Sequence, residues 1–164
     1  MNLADHPILL PHHGKPVILD SNLLLFNWCS SFNPSLITSF KRLNTFQLED
    51  VALLSETLKV FSSIRTTPHV LTEVSNLANS LPAWIKSDWF GHFATGIQMI
   101  PEEWTPAKTI AGSGFMRLGL TDAALAELAS THVILTLDFP LSNVLESRKL
   151  NVINFTHLRS LWLE

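Results

Sequence analysis

Cysteine is almost absent from this chain: Cys29 is the only one in 164 residues. No internal disulfide can form, and a cytoplasmic setting is the default expectation. No apolar run approaches the roughly 18 residues that a membrane-spanning helix needs, so no membrane partner is expected. The opening segment, Met1-Asn2-Leu3-Ala4-Asp5-His6-Pro7, lacks a basic n-region and a long apolar stretch, and no signal peptide is expected there. Charge is also scarce. Charged residues make up 15% of the chain, and the net charge is −3. That balance disfavours a protein that coats nucleic acid non-specifically, but it does not exclude a nuclease. The basic residues are scattered, with only two adjacent pairs, Lys41-Arg42 and Arg148-Lys149. A groove for phosphates would have to be assembled in three dimensions. Internal repeats, low-complexity segments and interdomain linkers are missing too.

What is present is apolar: hydrophobic residues make up 46% of the chain. At this length that suits one domain with a sizeable core. Residues 1–16, with Pro7, Pro11, Gly14 and Pro16, read as an extended lead-in; residues 17–164 read as the domain. Val17–Asp20 has the length of a buried strand, followed by a helix from Leu23. Helices are expected at 36–43 and 48–61. Ser63–Thr66 reads as a weak strand. Thr67 is a good N-cap, and Pro68 suits the first helical position. Val70, Val74 and Leu77 then stack on one helix face to about Asn79. A short helix at 81–90 and an edge strand at Ile97–Ile100 are expected next. Thr105-Pro106 repeats the cap-plus-proline signal, and Gly112-Ser113-Gly114 reads as a flexible bend. Thr121 is expected to cap the alanine-rich helix that follows. Val133–Asp138 is the clearest strand, trailed by a helix at 140–150, a strand at 152–155 and a helix at 158–163. Strands alternate with helices, so the class is α/β with a mainly parallel, about five-stranded sheet.

Four carboxylates fall where strands hand over to helices: Asp20, Glu73, Asp122 and Asp138. In an open parallel sheet, the carboxyl ends of the strands share one edge, and that edge carries the binding crevice. Each acid alone also suits a cap. Four gathered at one edge repel one another unless a cation joins them. Magnesium and manganese prefer such oxygen donors, and metal-assisted phosphodiester cleavage requires them. Asn22 is placed to meet a phosphate or a ligand water, and Thr136 to steady the loop of Asp138. A helix cap and a β-favouring residue are their respective plain readings. A haloacid-dehalogenase-type phosphatase would want an acid at position 22, where Asn stands. A receiver domain would want an acidic neighbour to Asp20.

Val17-Ile18-Leu19-Asp20-Ser21-Asn22, Thr66-Thr67-Pro68-His69-Val70-Leu71-Thr72-Glu73, Gly119-Leu120-Thr121-Asp122-Ala123-Ala124 and Ile134-Leu135-Thr136-Leu137-Asp138 resemble, in order, the four motifs of PIN-domain ribonucleases. The resemblance runs from about Val17 to about Phe155. It implies a three-layer α/β/α sandwich, a Mg²⁺ or Mn²⁺ cofactor and hydrolysis of RNA. It implies Asp20, Asp122 and Asp138 as principal ligands, with Glu73 at a second ion or orienting the attacking water. Many small members are VapC-like toxins, which adds an antitoxin protein as an expected partner. The apolar positions Leu23–Phe26, Trp28 and Phe32 exceed what one helix is expected to bury, which suits that partner or a homodimer. Two further functions fit the same residues: a PIN-fold module that binds protein or RNA without cutting, and a nuclease for structured DNA.

The remaining candidates have plainer readings. His12-His13 lack partners at ligand spacing. His69 and His132 are expected near the carboxylate edge in cap or surface roles. Cys29 reads as a small apolar residue. Trp84, Trp89 and Trp104, with Phe90 and Phe93, read as core or interface.

Overall fold

The computed structural model describes residues 3–112 and 115–162. The bend expected at Gly112-Ser113-Gly114 therefore lies partly outside the described residues, as do Met1, Asn2, Leu163 and Glu164. The sheet has four strands among the described residues, all parallel: β1 (Pro16–Leu19), β2 (Ser63–Arg65), β3 (Val133–Thr136) and β4 (Val152–Asn154), in the order β2-β1-β3-β4. Val17 faces Ile64 on one side and Val133 on the other, and Ile134 faces Val152. The inner strands are buried on both faces, which is why Val17-Ile18-Leu19 and Val133-Ile134-Leu135 show no polar alternation. The fold is α/β with a parallel sheet, and its layers are compatible with a three-layer sandwich.

The helices are α1 (Ser21–Phe32), α2 (Leu36–Ser39), α3 (Glu49–Leu58), α4 (Pro68–Ala78), α5 (Ala83–Met99), α6 (Ala107–Ile110), α7 (Phe115–Leu128), α8 (Phe139–Ser147) and α9 (Phe155–Trp162). Helix α4 starts as its sequence dictates. The Thr67 hydroxyl accepts from the Val70 amide at 3.1 Å, and Pro68 follows.

Several expectations need correction. The strand expected at Ile97–Ile100 falls at the end of α5, a helix of 17 residues that runs nine residues past the expected end at 90. Ile85, Trp89, Phe93 and Ile97 recur every four residues and pack against the core, and that face carries the helix on to Met99. Gly96 lies on this helix because a Cβ there would come within 3.0 Å of the Trp28 indole of α1. Pro101 follows at once, and the chain then meets the end of β2 through a parallel bridge between Thr66 and Glu102. The fifth strand is thus reduced to a bridge.

Thr121 does not cap a helix. The chain is helical from Phe115, and its continuity breaks at Gly119 (φ 77°, ψ 172°). That backbone region is essentially reserved for glycine. Asp122 falls in the first turn after the break. Thr105 caps nothing either, since Pro106 occupies the cap position of α6 with no side-chain hydrogen bond. The last helix begins at Phe155, three residues earlier than expected. Residue Leu9 of the lead-in is fully buried in the same core as β1.

The apolar surplus expected on α1 is absorbed by the fold. Leu23, Leu24, Leu25 and Phe26 are all fully buried, and Trp28 meets Phe93 edge-on. The aromatic set divides. Trp89 and Phe93 stack in the core, whereas Trp84 and Trp104 stand exposed. Among the described residues, no helix is long and apolar enough to cross a membrane.

Candidate metal centre

The strand order puts a switch between β1 and β3. The connection from β1 leads to one side of the sheet, and the connection from β3 leads to the other. In open α/β sheets, ligands bind beyond the carboxyl ends of the strands at such a point. Asp20 directly follows β1, and Asp138 follows β3 by two residues.

The two acids are joined through one hydroxyl. Thr136 Oγ1 donates to Asp20 Oδ2 at 2.5 Å and accepts from the Asp138 amide at 2.9 Å. The Leu137 amide also donates to Asp20 Oδ2, at 2.9 Å. Each acid caps the helix it opens. Asp20 Oδ1 accepts from the Leu23 amide at 2.8 Å, and Asp138 Oδ1 accepts from the Leu141 amide at 2.7 Å. Capping is therefore real, but it does not account for the second pair of donors on Asp20. Three of the roughly four lone-pair positions of that carboxylate are in use, and the group is held in one orientation.

Glu73 and Asp122 come from α4 and α7, which pack on each other. Burial first, and then the negative charges of Asp138, Asp20 and Glu73, push the Asp122 carboxyl up to about 7. Asp20 is also raised. Burial is the main cause, partly offset by its three hydrogen bonds, and Asp138 adds to it. No cationic side chain contributes to either shift. Thus all four predicted acids share one electrostatic environment. They do not form a closed ligand cage: among the described residues, no three acidic, histidine or cysteine side chains are grouped so as to hold an ion.

The donor chemistry nonetheless suits a hard divalent cation. The candidate donor atoms are all carboxylate oxygens, they repel one another, and the Ser21 hydroxyl beside Asp20 is buried without a hydrogen-bond partner among the described residues. Magnesium usually keeps several of its waters and takes only one or two carboxylates directly.

The other predicted residues sort as follows. Thr136 is buried and holds Asp20, a stronger tie than steadying the Asp138 loop. Asn22 is exposed in the first turn of α1; the cap belongs to Asp20, and Asn22 lines a cleft. His69 lines a cavity with Glu73, Thr72, Asn76, Leu120 and Thr121. His132 is a correction: it precedes β3 and so lies at the opposite end of the sheet. There its Nε2 meets Glu103 at 3.2 Å, and Glu103 also pairs with Arg65 at 2.6 Å. Cys29 is buried, and burial pushes its thiol up to about 12, so it is an inert apolar group. Sequence reasoning missed the Leu137 amide, because a backbone donor leaves no trace in residue identity.

Comparison of the chain with protein-family models, with curated proteins and with solved structures gives no match.

Proposed function

We propose that this chain is a metal-dependent endoribonuclease of the PIN type, in which Asp20, Glu73, Asp122 and Asp138 hold Mg²⁺ or Mn²⁺ and water is the nucleophile. The observation that carries the reading is the junction of Asp20 and Asp138 through Thr136 at the switch point, with Glu73 and Asp122 in the same field. Capping alone does not require the two further donors that hold Asp20 Oδ2. The ion would supply an activated water and neutralise charge developing on the phosphodiester. Thr136 and the Leu137 amide keep the Asp20 carboxylate aimed. Asp138 keeps Oδ2 free of hydrogen bonds to the described residues, available to a ligand. A cation bound there would favour the deprotonated form of Asp122. The PIN-like three-layer sandwich belongs to the same proposal, as does RNA as the substrate.

A second reading is a PIN-fold module that binds RNA or protein without cutting. The absence of a three-residue ligand cage among the described residues favours it. A protein partner, whether an antitoxin or a second copy, would have to use surface other than the buried run Leu23–Phe26.

The test is cleavage of RNA, single-stranded DNA and flap DNA with Mg²⁺, Mn²⁺ or EDTA, comparing the wild type with Asp20→Asn and Asp138→Asn. The expected outcome is metal-dependent cutting of RNA that falls by about 10²-fold or more in either variant, the scale of losing a preorganised electrostatic group. Full EDTA-sensitive activity in Asp20→Asn would overturn the assignment. Cutting of flap DNA alone would replace RNA as the substrate. A folded chain that cuts nothing and binds no Mn²⁺ by calorimetry would favour the module.

A further inference from the structure

A cleft of about 610 Å³ is lined by residues of α1, of α4 and of the segment 39–44. Its size falls within the range that holds small ligands, roughly 300–1,000 Å³. Two of its lining residues connect it to the acids. Asn22 stands two residues after Asp20 on α1, and Leu77 stands one turn after Glu73 on the same face of α4. Lys41 and Arg42 form part of its wall together with Asn44 and Ser39, and no carboxylate lines it. Both cations are exposed, and neither is in an ion pair among the described residues. By contrast, Lys59, Arg65 and Arg159 are each paired with an acid. The cavity that contains Glu73 is lined by no lysine or arginine.

We infer that this cleft grips the phosphodiester backbone of single-stranded nucleic acid next to the phosphate to be cut. The inference rests on the nuclease reading for the place of the cut, but not for the binding itself. Lys41 and Arg42 supply charge, and the Asn22 and Asn44 amides supply donors. The only aromatic residue among those lining it, Phe40, is 4% exposed and offers no platform for a base. Contacts of this kind hold the backbone and carry no sequence information. The cleft therefore reads phosphate and tolerates any base order.

The test is fluorescence anisotropy of a short labelled single-stranded RNA with the full chain in EDTA, where no metal-dependent cutting occurs, over a range of salt. Each phosphate contact contributes about 0.7 to the slope of log affinity against log salt for a single strand. Lys41→Gln/Arg42→Gln should lower that slope by about 1.4 and weaken binding by about tenfold or more at low salt. Arg148→Gln/Lys149→Gln makes the same charge change at exposed positions before β4, at the far end of the sheet, and should leave the slope as it is. A DNA strand of the same sequence should show the same slope change, because phosphate is the group gripped. Equal slopes for the wild type and the Lys41/Arg42 variant would overturn the inference, as would equal losses for both pairs. A chain that binds through Lys41 and Arg42 yet cuts nothing with metal present would keep the cleft and refute the nuclease.

Discussion

At the scale of single residues, Thr136 concentrates the site's dependence on geometry. It is fully buried, donates to Asp20 and accepts from the Asp138 amide. Thr136→Val keeps the shape and the β-branched form but removes both hydrogen bonds. It should lower stability by about 1–3 kcal/mol, the cost of stranding buried polar groups. It should also weaken Mn²⁺ binding by about 10–100-fold, the usual effect of losing a partner behind a ligand. Calorimetric titration with Mn²⁺, alongside urea unfolding, checks both. Thr136→Ser, which restores the hydroxyl, should recover most of the metal affinity; failure to do so would mean that the hydroxyl is not what aims Asp20.

At the scale of elements, helix α7 shows how a local backbone demand sets the position of a candidate site residue, Asp122. Gly119 interrupts the helix with a positive φ, and nothing lies within 4 Å of where a Cβ would be. The demand is therefore conformational and not steric crowding. Gly119→Ala should cost about 1–3 kcal/mol. Because Asp122 lies in the turn that follows, the same change should weaken Mn²⁺ binding more than an alanine substitution at exposed Gly91 on α5, where a Cβ also meets nothing. Equal metal affinity in the two variants would separate the break from the site. The helix–strand reading of this chain succeeded where chemistry was local. Thr67-Pro68 opened α4 as expected, and the apolar runs at 17–19 and 133–135 became the central strands. It failed at Ile97–Ile100, where a short β-favouring run was outweighed by a four-residue periodicity beginning at Ile85.

At the scale of the whole molecule, the buried carboxylates make stability depend on pH and, on the proposed reading, on metal. The Asp122 carboxyl titrates near 7 in the fold, against 3.8 for an unperturbed Asp. Between those values the folded chain holds a proton that the unfolded chain has released. The favourable contribution is therefore present at low pH and is lost as pH rises to about 7. Asp20, raised for the same main reason, acts in the same direction. In EDTA, the melting temperature should fall between pH 5 and pH 8, less steeply in Asp122→Asn than in the wild type. Cations bind deprotonated carboxylates, so Mn²⁺ should stabilise the wild type more at pH 8 than at pH 5. At one hundred times the dissociation constant, the gain would be about 2.7 kcal/mol. Identical melting at pH 8 in Mn²⁺ and in EDTA would remove the metal from the proposal.

The sequence by itself determined the alternation of strands and helices, the burial of the inner strands, the cap of α4, and the placing of Asp20 and Asp138 at strand-to-helix transitions. These follow from interactions spanning a few residues: caps, prolines and apolar runs. Glu73 instead lies in the second turn of α4, and Asp122 follows the break inside α7, which is preceded by α6 and not by a strand. Only the tertiary structure decided the strand order and, with it, the switch point between β1 and β3. It alone brought Thr136 onto Asp20 across 116 positions of chain. It also sent His132 to the far end of the sheet and set Lys41 and Arg42 in a cleft with Asn22. Lateral order in a sheet, burial and the repulsion between carboxylates depend on which distant segments become neighbours, and no local pattern of residues carries that information.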